Sequence, residues 1–118
     1  MTDSLLVQLR KGVLDMCVLA MLAQRDGYAY DIASRLAHDI GMGEGTIYPL
    51  MRRMQADGLV KTYLEESSSG PPRKYYQLTR AGHAALAAQR VEWNSFVASV
   101  ARVLADNPSP ARTAGGAR

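Results

Sequence analysis

The sequence predicts a mainly α fold with a small β-hairpin, and three observations predict it. Three stretches before residue 58 repeat apolar residues at the spacing of one helix face. Between residues 59 and 78 the pattern switches to partial alternation around a Ser-Gly-Pro turn. Helical spacing then returns and runs to about Ala105. A chain of 118 residues holds one compact domain with a modest core. Its hydrophobic fraction of 47% is ordinary for a folded protein, and no apolar run approaches a membrane span. No charged segment followed by an apolar stretch and a small-residue cleavage site is present, so the expected location is cytoplasmic, with no membrane partner. The single cysteine, Cys17, can form no internal disulfide and excludes a Cys-rich zinc site.

The formal net charge is +3, a weak surplus until it is located. Residues 107–118 supply Arg112 and Arg118 and no acid, which leaves +1 for the rest. Between residues 46 and 80, Arg52, Arg53, Lys61, Arg73, Lys74 and Arg80 stand against Asp57, Glu65 and Glu66. That local excess of three positive charges is the electrostatic footprint expected of a DNA-binding module.

Residues 4–24 are predicted as a first helix that Ser4 can cap. Its run Val13-Leu-Asp-Met-Cys-Val-Leu-Ala-Met-Leu22 is apolar on nearly all sides, which predicts burial on more than one face. Cys17 reads as a small core residue within it. Arg25-Asp-Gly27 breaks the pattern, and a second helix is predicted from Tyr28 to Ile40 with Ile32, Leu36 and Ile40 inward. Tyr30 and Ser34 are left as candidate phosphate contacts. After the turn Gly41-Met-Gly43 comes a third helix. Ile47, Leu50, Met51 and Met54 mark its buried face, while Thr46, Tyr48, Pro49, Arg52, Arg53 and Gln55 form a front of hydroxyls and guanidiniums. Gly45 is expected to cap it, with Pro49 in the first turn, where a missing N–H costs little, and Gly58 ends it. Two short helices joined by a Gly-containing turn make a helix-turn-helix, whose second helix suits phosphate oxygens and base edges.

Leu59-Val-Lys-Thr-Tyr-Leu64 reads as a strand, Ser67-Ser-Ser-Gly-Pro-Pro72 as a loop tip and Arg73-Lys-Tyr-Tyr-Gln-Leu78 as the returning strand. A hairpin in that place is a wing, and its cationic base suits backbone phosphate or the minor groove. Thr79 caps the last helix. Leu86, Trp93 and Val100 recur every seven residues, with Phe96, Val97, Val103 and Leu104 beside them. That seam, and the spare apolar face of the first helix with Leu9 and Val13, predict a two-fold homodimer in which each last helix packs on the partner's first helix. The chain therefore divides into a winged helix-turn-helix domain over 1–79, a C-terminal dimerisation helix over 80–105 and a low-complexity tail over 106–118.

Four ordered segments resemble the PadR family of transcriptional regulators, in its short-C-terminus subgroup. They are Gly27-Tyr-Ala-Tyr-Asp-Ile32; Gly45-Thr-Ile-Tyr-Pro-Leu50 with Arg52, Arg53 and Asp57-Gly-Leu59; Gly70-Pro-Pro-Arg-Lys-Tyr-Tyr76; and Leu78-Thr79 with Ala81-Gly82. The resemblance covers roughly residues 5–105. It implies a winged helix-turn-helix dimer that binds an inverted-repeat operator in double-stranded DNA and usually represses. It also implies DNA contacts from Thr46, Tyr48, Arg73 and Lys74. In some relatives the last helices enclose a pore where a flat apolar or aromatic effector stacks between paired tryptophans. Trp93, with Phe96 and Val97, stands at the matching place here, and its other reading is a hydrophobic anchor of the dimer seam. Glu65 and Glu66 on the wing, and Gly41, Gly43 and Gly45 before the third helix, depart from the family's pattern.

Other chemistries find less support. No nucleophile–base grouping or carboxylate pair in a plausible cleft is present, so no enzyme is expected. Gly41-Met-Gly-Glu-Gly45 follows no strand and lacks the Lys-Ser/Thr of a nucleotide loop. His38 and His83 have no partners at ligand spacing, so neither a metal nor a cofactor is expected. Asp15 is expected to pair with a base of the last helix, Arg90. The alternative from another class is a winged-helix module that binds protein and not DNA.

Overall fold

The computed structural model describes residues 5–41 and 44–105. The expected cap at Ser4, the turn residues Met42 and Gly43 and the tail over 106–118 lie outside them. In chain order the elements are α1 (Leu5–Gln24), β1 (Gly27–Tyr28), α2 (Ala29–Asp39), α3 (Glu44–Ala56), β2 (Val60–Ser67), β3 (Gly70–Leu78) and α4 (Arg80–Ala105). This is the mainly α winged-helix architecture, with a three-stranded antiparallel sheet in the order β1-β3-β2.

One core gathers the inward face of each element. Leu14, Val18, Met21 and Leu22 recur along one side of α1, and Leu19 joins them. They meet Ile32, Ala33 and Leu36 of α2, Ile47, Leu50, Met51 and Met54 of α3, and Val60, Tyr76 and Leu78 of the sheet. Cys17 packs half-buried against this cluster, and burial pushes its thiol above the usual range, as suits an inert small side chain.

The chain divides between Ala87 and Ala88 into two compact units. The first holds α1 to β3 and the opening turns of α4, including Gly82 and Leu86, both buried. The remainder of α4 belongs to the second.

Three elements differ from their expected extents. Tyr28 is not helical: Gly27 and Tyr28 pair with Tyr76 and Tyr75 of β3, and α2 begins one residue later. The predicted loop over 67–72 shrinks to a turn at Ser68 and Ser69, because β3 starts at Gly70. Pro71 and Pro72 have no N–H to give, and the β2–β3 register shifts where they lie, between the Glu65–Arg73 and Ser67–Gly70 pairs. Gly45 does not cap α3 but lies inside it, which moves Pro49 beyond the first turn. Its ring removes the amide that would donate to the Gly45 carbonyl.

Hydrogen bonds close the end of α3 and the start of α4. Gly58, at φ 78°, gives its N–H to the Gln55 carbonyl, and Leu59 N–H reaches the Met54 carbonyl. This paired pattern needs a left-handed residue at Gly58. At the start of α4, Thr79 Oγ1 accepts the Gly82 N–H at 3.0 Å and donates to the Gly58 carbonyl at 2.7 Å, so one side chain caps α4 and ties it to the end of α3.

Candidate nucleic-acid interface

Burial of Ile47, Leu50, Met51 and Met54 fixes how α3 is rotated. Each residue advances about 100° round a helix, so Gly45, Pro49, Arg52 and Ala56 point away from that buried stripe, and all four are exposed. Thr46 and Arg53 occupy the flank toward α1. They line an open groove of about 410 Å³ together with Leu14, Asp15, Gly45, Pro49 and Leu50. Gln55 occupies the opposite flank and donates to Thr62 Oγ1 of β2 at 3.5 Å. Tyr48 shares that wing-side flank and is half-buried. The front therefore has Pro49 and Arg52 at its centre, one hydroxyl on each flank, and Arg53 turned toward α1.

Arg53 Nη2 donates to Asp15 Oδ2 at 2.8 Å. Asp15 thus pairs with α3 and not with the expected Arg90. The burial of Leu14 and Val18 rotates the intervening Asp15 toward the α3 flank, within reach of Arg53. On α2, Tyr30 (59% exposed) and Ser34 stand one turn apart on the side away from Ile32, Ala33 and Leu36.

The hairpin separates its two consecutive bases. Side chains alternate along a strand, and Tyr76 and Leu78 are buried, so Lys74 shares the core-side face and Arg73, Tyr75 and Gln77 take the other. Lys74 Nζ lies 5.8 Å from the Tyr76 ring centroid. Arg73 lies 4.6 Å above the ring of Tyr28, a cation–π contact that β1 makes possible. Tyr28 packs edge-on against Tyr75, and Tyr75 stacks on Tyr63 at 5.7 Å. Asp26 accepts the Tyr63 hydroxyl at 2.7 Å and Gln77 Nε2 at 3.2 Å, which anchors the segment before β1 to the wing. That hydrogen bond, with some desolvation and the negative charge of Asp26, pushes Tyr63 up to about 12. This aromatic support for Arg73 was missed in the sequence because two residues are too few to show strand periodicity. Glu65 lies directly across from Arg73 in the register.

On the second unit, Trp93 is 42% exposed, and Phe96, Val97, Val100, Val103 and Leu104 are exposed with it. Their spacing keeps them on one side of α4. Leu86, expected in the same seam, is 5% exposed and belongs to the core of the first unit. On α1, Leu9 is exposed and Val13 half-buried. Among the described residues no three His, Cys, Asp or Glu side chains group as a metal site, and no helix is long and apolar enough to cross a membrane.

The same arrangement recurs in known proteins. The transcriptional regulator PadR-like family matches residues 18–88. A PadR-like transcriptional regulator from Bacillus cereus is 37% identical, covering 82% of this chain and 96% of its own, with a TM-score of 0.76. A PadR family regulator from Eggerthella lenta is 35% identical over 83% of this chain and 87% of its own, at a TM-score of 0.75. One from Clostridium difficile is 32% identical over 78% and 98%, at 0.72. An uncharacterized protein of Lysinibacillus sphaericus is 29% identical over 87 residues, 70% of this chain and 80% of its own. With its helix-turn-helix, its wing and these matches together, the chain belongs to the PadR-like family of transcriptional regulators.

Proposed function

We propose that this protein is a dimeric repressor that binds an inverted-repeat operator, with α3 in the major groove and the β2–β3 hairpin on the flanking backbone. The observation that carries the reading is the rotation of α3. Its apolar stripe is wholly buried, Thr46, Pro49 and Arg52 are exposed on the same helix, and Arg73 and Lys74 of the hairpin are exposed as well. Arg52 at the centre of the front can take guanine O6 and N7 bidentately. Thr46, Tyr48 and Pro49 supply hydroxyl and apolar contacts, Arg53 flanks them with its charge held on Asp15, and Tyr30 and Ser34 contact phosphate. A hairpin entering a minor groove meets one strand with each face, which suits Arg73 and Lys74 on opposite faces.

The dimer forms through the exposed stripe of α4 against the partner's α1, with Leu9, Val13, Trp93, Val100 and Val103 in the contact. Paired recognition helices then address half-sites one DNA turn apart, about 34–36 Å. A flat apolar or aromatic effector held by Trp93, Phe96 and Val97 acts only if it favours a helix spacing that does not fit the operator. Titrating effectors against operator affinity tests that step, and unchanged affinity with ligand bound removes it.

The decisive experiment is capture of sheared genomic DNA from the source organism on immobilised protein, followed by sequencing of the retained fragments. A shared inverted repeat is the expected result. No enrichment at moderate salt from a folded dimer would replace this reading with a winged-helix module that binds protein.

A further inference from the structure

The fold treats the two consecutive arginines of α3 differently. Arg52 stands at the centre of the front. Arg53 lies about 100° round the helix, with its guanidinium on the Asp15 carboxylate at 2.8 Å. The two side chains are 57% and 49% exposed, so the pair is open to whatever docks on the front. Among the described residues, Asp15 is the one carboxylate lining a groove that also contains Thr46 and Pro49.

We propose that Asp15 is an electrostatic brake on sequence-independent DNA binding: it neutralises Arg53 and withholds one cation per protomer from the phosphate backbone. The proposal rests on the reading of α3 as the DNA-binding helix. Sequence-independent affinity is set by the number of phosphates whose counterions are displaced. An exposed ion pair is weak, so a phosphate oxygen can share Arg53. The carboxylate nevertheless stays beside the groove and opposes the incoming phosphate, so the pair adds no net positive charge to the docking face. Base contacts from Arg52 are untouched. With a net charge of only +3, each cation kept out of the phosphate count weighs on how much protein bulk DNA retains.

The test is Asp15→Asn, which keeps the size of the side chain and removes its charge. Affinity for one fixed non-operator duplex is measured by fluorescence anisotropy across a salt series. The variant should bind more tightly at low salt, and its plot of log K against log salt should steepen by about 0.9 per engaged protomer. Its advantage over the parent then shrinks about 3.5-fold per protomer between roughly 50 and 200 mM salt. Asp15→Ser, which removes the charge differently, should do the same. Adding Arg53→Gln to Asp15→Asn should remove the added slope. An unchanged slope, or weaker binding by both Asp15 variants, would make Asp15 a structural strut and overturn the proposal. A folded parent that binds no duplex at any salt, with Arg52→Ala equally inert, would instead overturn the DNA-binding reading, and the brake with it.

Discussion

At Gly82 the first turn of α4 passes directly over the Leu59 carbonyl. A Cβ built there would collide with that oxygen and lie 2.7 Å from Leu78 Cδ1. That close approach leaves no room for a side chain at this position. Gly82→Ala should destabilise the protein by about 1–3 kcal/mol, the usual cost of overpacking, read as a lower urea midpoint. Tyr63 gives a second prediction at this scale. Its folded-state value near 12 exceeds the ordinary 10, so the neutral phenol is favoured by folding. The stability this contributes is fully present below about pH 10 and is lost as pH rises through about 12. In a phenolate absorbance titration Tyr63→Phe should delete the late-titrating component, and Asp26→Asn should move it toward 10. A titration with no such component would remove the Asp26 contact. Neither effect was legible in the sequence, because Asp26 and Tyr63 are brought together only by the sheet.

Among elements, α3 was the most legible. Its 3.6-residue spacing predicts the buried residues, and Gly58 predicts the stop. Its start was less so, since Gly45 is as plausible at a cap as inside a first turn, and the two extra residues at the start put Pro49 beyond the first turn. In the wing, composition overstated the loop: Ser, Gly and Pro mark turns by propensity, yet pairing with β2 continues to Gly70. These two elements should fail differently. Arg52→Ala should weaken operator binding and relax preference at one base position, by about 1–3 kcal/mol. Lys74→Ala should weaken binding to all sequences alike and reduce the salt slope by about one. Competition binding against operator and non-operator duplexes separates them; if neither variant changes affinity, α3 and the wing are not the docking surface.

At the scale of the whole molecule, the second unit's part of α4 presents an apolar stripe. Trp93, Phe96, Val97, Val100, Val103 and Leu104 are exposed along one side of the helix, and that stripe is what supports the proposed dimer. Val100→Glu should place a charge in the proposed seam and yield a folded monomer in sedimentation velocity, at concentrations where the parent sediments as a dimer. A monomeric parent would refute the dimer. The monomer's DNA affinity should also fall, because two linked half-sites no longer act together.

Residue spacing by itself determined helices α1 to α4, the existence of the hairpin and the inward faces of α2 and α3, because those depend on periodicity, and periodicity is local. It also carried the family, through four short segments in order. Tertiary structure decided which side chains meet. It turned Arg53 onto Asp15, set Arg73 over Tyr28, drew Leu86 into the first unit's core and brought Gly82 against the Leu59 carbonyl. Each of those contacts joins residues far apart in the chain, or rests on a rotation of one helix against another that neighbouring residues cannot encode.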